Sequence, residues 1–314
     1  MTVDSSVARA ADVVALRSLI ATLVLLAVVD CARAAEDGNE IAKLWIGGDV
    51  HLGRSNRAPL ARIQHTVGAD RIGLVNLEGP VSDGEAPKGR LFNGTNAIAP
   101  LFGAGVRVAG IANNHAEDAG PQGELRTIQA LERAGLRPAG RSANAAIIER
   151  AHLKIAITAH DLTHGVPETL AAELSVAKGS ADLLISTFHV TGPPLYFPRP
   201  ELERAAAIAL ASGASVVAAH GTHAIGPIER RDRRVVAWGL GNLAFECDCT
   251  DEQEAIILLV DLDRTGVVKA RAMPIDAGLR GEASRLAADA GGILDLLEAI
   301  GSSPLDRDER TAAF

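Results

Sequence analysis

Aromatic side chains are scarce in this chain: six phenylalanines, two tryptophans and one tyrosine among 314 residues. That weakens any function in which bases or sugar rings stack on aromatic platforms. An excess of positive charge is missing too. With a formal net charge of -8 and a sequence pI near 5.6, the chain lacks the basic footprint of non-specific nucleic-acid binding, so no nucleic-acid partner is expected. Small or locally recognised anionic ligands stay open. Cysteine is limited to Cys31, Cys247 and Cys249. One residue separates the last two, a strained spacing for a bridge and not the Cys-x-x-Cys of a zinc knuckle, so neither a structural disulfide nor such a knuckle is assigned.

What is present is apolar and ordered. Hydrophobic residues make up 47% of the chain, enough for a sizeable core. At the N-terminus, Arg17 precedes the apolar run Leu19 to Val29 and then Ala32-Arg33-Ala34. That run is short for a transmembrane helix but suits a signal peptide, with cleavage after Ala34. Residues 1–34 are therefore expected to be a signal peptide or N-terminal membrane anchor. The product would be exported: periplasmic, extracellular, or anchored to the outer face of the cytoplasmic membrane. Against this pattern, the n-region is long and holds Asp4 and Asp12, and Asp30 before Cys31 fits a lipoprotein signal poorly.

From Ile41 onward, short apolar runs alternate with amphipathic stretches, the pattern of an α/β protein. Strands are predicted over 41–49, 71–77, 106–112, 181–188 and 215–219. Hairpins are predicted at 145–159, 225–238 and 255–274. Helices are predicted over 55–67 with a Ser55 cap, 122–134, 201–212 and 282–300, followed by a mobile polar tail. The aperiodic segment 81–94 is a candidate binding loop. Residues 40–275 hold no repeat or linker and are treated as one domain, with 276–314 a C-terminal helix and tail.

Ligand-type side chains collect at the predicted strand ends. Asp49 and His51, two apart after Gly47-Gly48, would share one side of a strand and converge on one cation; the alternative is an Asp that caps the next helix. Glu78, Asn114 with His115, His189, and His220 with His223 occupy the ends of later strands. Glu78 alone could be a turn carboxylate, Asn113-Asn114 a left-handed turn, and His189 a core histidine. Together they point to a site at the carboxyl edge of a sheet, where open α/β folds bind ligands. Such a set can hold two metal ions bridged by one carboxylate.

Gly48-Asp49-Val50-His51-Leu52-Gly53-Arg54, Asn76-Leu77-Glu78-Gly79-Pro80, Ala112-Asn113-Asn114-His115-Ala116-Glu117-Asp118-Ala119-Gly120, Gly226-Pro227-Ile228-Glu229 and Gly239-Leu240-Gly241-Asn242-Leu243 closely resemble, in order, the motifs of the CapA family. These are bacterial capsule-synthesis proteins, also called PgsA-type poly-γ-glutamate proteins. The resemblance spans roughly residues 42–275. It implies a metallophosphatase-like four-layer αββα sandwich with a dimetal site at the strand C-terminal ends. Asp49, His51, Glu78 and His223 would then hold one metal, with Glu78 bridging. Asn114, His189 and His220 would hold the second, and His115 would protonate the leaving group. Three positions depart from the family. His-Trp-Gly-x-Glu-Tyr becomes His189-Val190-Thr191-Gly192-Pro193-Pro194, Gly-His-His-Pro-His becomes Ala219-His220-Gly221-Thr222-His223, and His51 stands where many relatives carry an apolar residue.

The resulting expectation is a hydrolase with two divalent ions (Mn, Zn or Fe) that activate a bridging water. Its substrate would be a phosphoester or a γ-glutamyl amide in an anionic polymer, with Arg54 and Arg90 as substrate contacts. Lys88 in the same loop reads as a solvated surface charge. The rival expectation is a non-catalytic polymer-binding accessory of a membrane capsule synthesis or export complex.

Overall fold

The computed structural model describes residues 41–314 except 55–57, 249, 251 and 308–310. The expected leader over 1–34, the Ser55 cap, Cys31 and Cys249 lie outside the described residues. Ile41–Phe314 forms one compact unit.

Thirteen strands of three or more residues carry the unit: β1 Ala42–His51, β2 Ile72–Leu77, β3 Val106–Gly110, β4 Arg137–Ala139, β5 Ala146–Arg150, β6 Leu153–Asp161, β7 Leu183–His189, β8 Ala214–His220, β9 Ile228–Arg231, β10 Arg234–Ala237, β11 Asn242–Phe245, β12 Glu254–Asp263 and β13 Gly266–Asp276. Four two-residue strands follow, β14 Gly278–Leu279, β15 Arg285–Leu286, β16 Asp306–Arg307 and β17 Ala312–Ala313. The first sheet runs β16-β17-β13-β12-β1-β2-β3-β4, with β11 beside β1. The second runs β5-β6-β7-β8-β10-β9. In the first sheet β1, β2, β3 and β4 are parallel, as are β6, β7, β8 and β10 in the second. Their carboxyl ends are where the ligand-type residues stand.

Strand alternation sets the layers. Leu44 and Ile46 of β1 share one core with Ile155 and Ile157 of β6 and Ile185 of β7, so the two sheets pack face to face. Trp45, between them in sequence, turns to the opposite face. There it packs with Ile63, Ile98 and Leu101 of helices α1 (Ile63–Val67) and α2 (Thr95–Gly103), and with Leu131 of α3 (Pro121–Arg133). On the outer face of the second sheet, Leu184 and Phe188 pack against Leu174 of α4 (Leu170–Gly179) and Leu202 of α5 (Pro200–Ala211). Both faces of each central strand are therefore buried, which explains their near-continuous apolar sequence.

Several expectations are corrected. Helix α1 occupies only the last five residues of the predicted 55–67. The predicted helix 282–300 shrinks to α6, Ala290–Ala299, because the Asp289 side chain accepts from the Gly292 amide at 2.9 Å and sets its start, while β15 pairs with β13. The tail supplies β16 and β17 to the sheet edge, with Ala312 buried in the inter-sheet core. Helices α2 and α4 are additions to the expected set; α2 carries Pro100 inside it, which reads from sequence as a breaker. Cys247 is disulfide-bonded, against the expectation from the Cys-x-Cys spacing alone, and its two possible partners both lie outside the described residues. Among the described residues no helix is long and apolar enough to cross a membrane.

Candidate metal centre

Gly47-Gly48 lies within β1. Pairing with β2 shifts register across these glycines, between Ile46 and Asp49, and pairing with β11 shifts just after Asp49; a Cβ on Gly48 would sit 1.9 Å from the Gly241 carbonyl oxygen. The glycine is needed for close backbone approach, and the irregularity aims Asp49 into the cleft between the sheets. Asp49 is buried, and both of its oxygens are engaged. Oδ1 accepts from Asn76 Nδ2 at 2.8 Å and Oδ2 from the Gly221 amide at 2.8 Å. Asn76 is fixed in turn: its Oδ1 accepts from Asn113 Nδ2 at 3.3 Å, and Asn113 also bonds the Leu77 carbonyl and the Gly79 amide. Asn113 thus holds the scaffold, while its neighbour Asn114 faces the site.

Glu78 follows β2 and is buried, with Oε2 lacking any hydrogen-bond partner. Burial, then the Asp49 and Asp118 carboxylates, raise its pKa well above the ordinary value. His115 presents Nε2 toward Glu78 Oε1 at 4.0 Å, and its Nδ1 lies 2.7 Å from Asp118 Oδ2.

Four consecutive loop residues tie these parts together. Arg90 Nη1 and the Leu91 amide donate to Asp118 at 2.9 and 2.7 Å. The Phe92 carbonyl lies 3.2 Å from His51 Nε2, and Asn93 bonds the Leu52 amide and the Glu78 and Gly79 carbonyls. A carbonyl only accepts, so His51 carries its proton on Nε2, which leaves buried Nδ1 with a lone pair and no partner. Burial above all lowers the His51 pKa to about 4.

The second sheet contributes three imidazoles. His189, ending β7, sits between Asn76 Nδ2 at 3.3 Å from its Nδ1 and Asn114 Oδ1 at 2.8 Å from its Nε2. Burial lowers its pKa to about 4, against the pull of Asp49. His220, ending β8, is buried with neither ring nitrogen hydrogen-bonded; Nδ1 lies 3.7 Å from Asp49 Oδ1. Burial lowers its pKa also. His223 takes a left-handed backbone (φ 53°), with Nδ1 2.8 Å from Asn242 Oδ1 and 3.8 Å from Asp49 Oδ2. Gly221 between them is required twice over: φ is 78°, and a Cβ would meet the Val190 carbonyl oxygen at 2.4 Å and the His189 ring at 2.6 Å.

Ligand atoms of Asp49, Glu78 and His189 lie within 4.8 Å of one another, a spacing that can hold a metal ion. Buried, unpartnered Glu78 Oε2, His51 Nδ1 and both His220 nitrogens fit the same use, since lone pairs in a dry cleft need a proton or a cation. All seven expected ligands and His115 are gathered at the strand ends. The trio takes its members from both expected metal sets. Arg54 is exposed beyond β1, whereas Arg90 is committed to Asp118. Sequence reasoning gave no role to Asn76, Asp118 or Asn242, although each lies inside a quoted motif; a polar amide ending an apolar strand was the available signal for Asn76.

Comparison with curated proteins returns no match. Among solved structures, a crystal structure of a hypothetical protein from Thermus thermophilus is 13% identical, with a TM-score of 0.52 over 75% of this chain and 99% of that one, a likeness of fold alone. The family model for bacterial capsule synthesis protein PGA_cap matches residues 43–247, from the start of β1 to just past β11, and so covers every residue of the centre. The chain belongs to the PGA_cap family of bacterial capsule synthesis proteins.

Proposed function

We propose that this capsule synthesis protein is a metal-dependent hydrolase with a metallophosphatase-like αββα sandwich, acting outside the cytoplasmic membrane on a phosphoester or on the γ-glutamyl amide of an anionic polymer. The observation that carries this is the buried convergence of Asp49, Glu78 and His189 beside lone pairs of His51 and His220 that no hydrogen bond uses. Asp49, His51, Glu78 and His223 would hold one divalent ion and Asn114, His189 and His220 a second, with Mn, Zn and Fe the candidates. Bound there, the ions supply Lewis acidity and lower the pKa of water toward neutrality.

The chain's own residues do the rest. His115 Nε2 faces the cluster and, when both ring nitrogens carry hydrogen, delivers its proton to the leaving group; exposed Arg54 meets the substrate's negative charge, and the amides of Asn76 and Asn113 keep Asp49 aimed. Face-to-face sheets with helices outside and the site at the strand ends support the metallophosphatase-like reading.

Metal content of the purified protein, and hydrolysis of p-nitrophenyl phosphate and poly-γ-glutamate with added manganese, zinc or iron, test the proposal, with Asp49→Ala and His223→Ala as controls. Bound metal and hydrolysis lost in both variants are expected. A protein that binds none of these metals and cleaves neither substrate overturns it. Metal binding with polymer retention but no cleavage would instead establish the accessory role.

A further inference from the structure

We propose that Asp118 is a positioning residue for His115, and that the strap Arg90-Leu91 holds Asp118 in place. This rests on the reading of His115 given above. Asp118 is 5% exposed at its side chain, and three donors converge on it. Its Oδ2 receives the Leu91 amide and His115 Nδ1, each at 2.7 Å, and Oδ1 receives Arg90 Nη1 at 2.9 Å. A carboxylate whose two oxygens already face an amide and a guanidinium is an acceptor. The hydrogen of the His115 contact therefore belongs to Nδ1, and Nε2 is the nitrogen turned toward Glu78.

Local geometry explains the three-residue spacing. Turns closed by Ala116 N to Asn113 O, Asp118 N to His115 O and Gly120 N to Glu117 O coil the segment so that His115 and Asp118 lie side by side. The strap comes from far away in sequence, and its next two residues bond His51 and the backbone of Glu78 and Gly79. One short segment thus sets the ring orientation of His115, the His51 ring and the backbone that carries Glu78 together. Arg90, which from sequence reads as a substrate cation, serves the chemistry through Asp118.

The test is the ring tautomer of His115, read by nitrogen-15 NMR of the histidine-labelled, metal-free protein at alkaline pH, with the signal assigned by its loss in His115→Gln. The wild type should show the Nδ1–H tautomer. Asp118→Ala should convert a large share to Nε2–H, Arg90→Ala a smaller share, and Asp118→Asn, which keeps an acceptor oxygen, should stand between wild type and Asp118→Ala. On a cleavable substrate, Asp118→Ala should lower kcat about 10- to 100-fold with KM within about twofold, since second-sphere partners carry effects of that size. An unchanged Nδ1–H tautomer in folded Asp118→Ala overturns the proposal. Should that variant not fold, an unchanged tautomer in both Asp118→Asn and Arg90→Ala does so. Tautomer shifts without hydrolysis in the wild type would overturn the hydrolase reading and leave the positioning intact.

Discussion

The two sheets build the centre in different ways. Residues from the first sheet are fixed by neighbours of their own sheet and its loops: Asp49 by Asn76, His51 by the Phe92 carbonyl, His115 by Asp118. Those from the second sheet lean across the cleft. His189 rests on Asn76 and Asn114, and His220 has only the 3.7 Å approach to Asp49. The first sheet is thus a preformed half-site, and the second delivers imidazoles against it. Asp49 is the joint, because one of its oxygens accepts from Asn76 of the first sheet and the other from Gly221 of the second.

Breaking that joint should have the largest effect. Asp49→Ala removes a candidate ligand and the acceptor of both donors, so metal affinity should fall by more than about 100-fold, measured by calorimetry or by metal retained after gel filtration. Asp49→Asn sharpens the point. It keeps the shape and removes the like charge that raises the Glu78 pKa, but its NH2 must face either Asn76 Nδ2 or the Gly221 amide, donor against donor, so the metal-free variant should melt below the wild type and also lose metal. Metal affinity preserved in Asp49→Asn would place the ligands elsewhere.

Next in size is Gly221→Ala, which strikes the delivery side at the residue whose amide also holds Asp49. A Cβ at φ 78° that also overlaps the Val190 carbonyl and the His189 ring should cost about 2–4 kcal/mol in denaturant unfolding. Metal affinity should fall as well, because His189 is the residue displaced. An unfolding midpoint unmoved from wild type would mean the loop has room to yield.

Acid tests the two halves against each other. His51 and His189, one from each sheet, have folded pKa values of about 4 against an ordinary 6.5. A depressed folded pKa gives stability that is present above 6.5 and lost as the pH falls toward 4, at most about 3 kcal/mol per ring. Glu78 acts in the opposite sense: its raised pKa makes the fold gain as the pH falls toward the unfolded value of 4.5. Melting of the metal-free protein from about pH 6.5 to about 4 should therefore decline less steeply in His189→Gln than in wild type. Equal slopes would contradict a neutral, buried His189.

The same asymmetry decides what was legible in the sequence. Residues that end apolar strands announce themselves as a set, although each alone has a plainer reading; the structure brings Asp49, Glu78 and His189 together, with His51, Asn114, His220 and His223 beside them. The supports were quieter. Asn76 left only a polar amide at the end of an apolar strand, with its bond to His189 113 positions away, and Arg90 reaches Asp118 across 28 positions and leaves no local pattern. Of the fold, the alternation of strands and helices was readable, while α2 hid behind Pro100 and the tail strands behind a polar composition that only the edge of β13 organises.

The two arginines near the first half-site separate these kinds of role, with the smallest expected effect. From sequence Arg54 and Arg90 look alike, yet Arg54 is exposed past the end of β1 while Arg90 bonds Asp118. An exposed cation that meets the substrate's charge away from the reacting bond stabilises ground and transition states about equally. Arg54→Ala should therefore raise KM for an anionic substrate about threefold with kcat unchanged, and the difference should shrink as salt screens the charge. Arg90→Ala should do the reverse, lowering kcat at nearly constant KM, because its loss is felt through the His115 ring. If both variants changed only KM, Arg90 would be a substrate contact after all, and the strap would lose its claim on the chemistry.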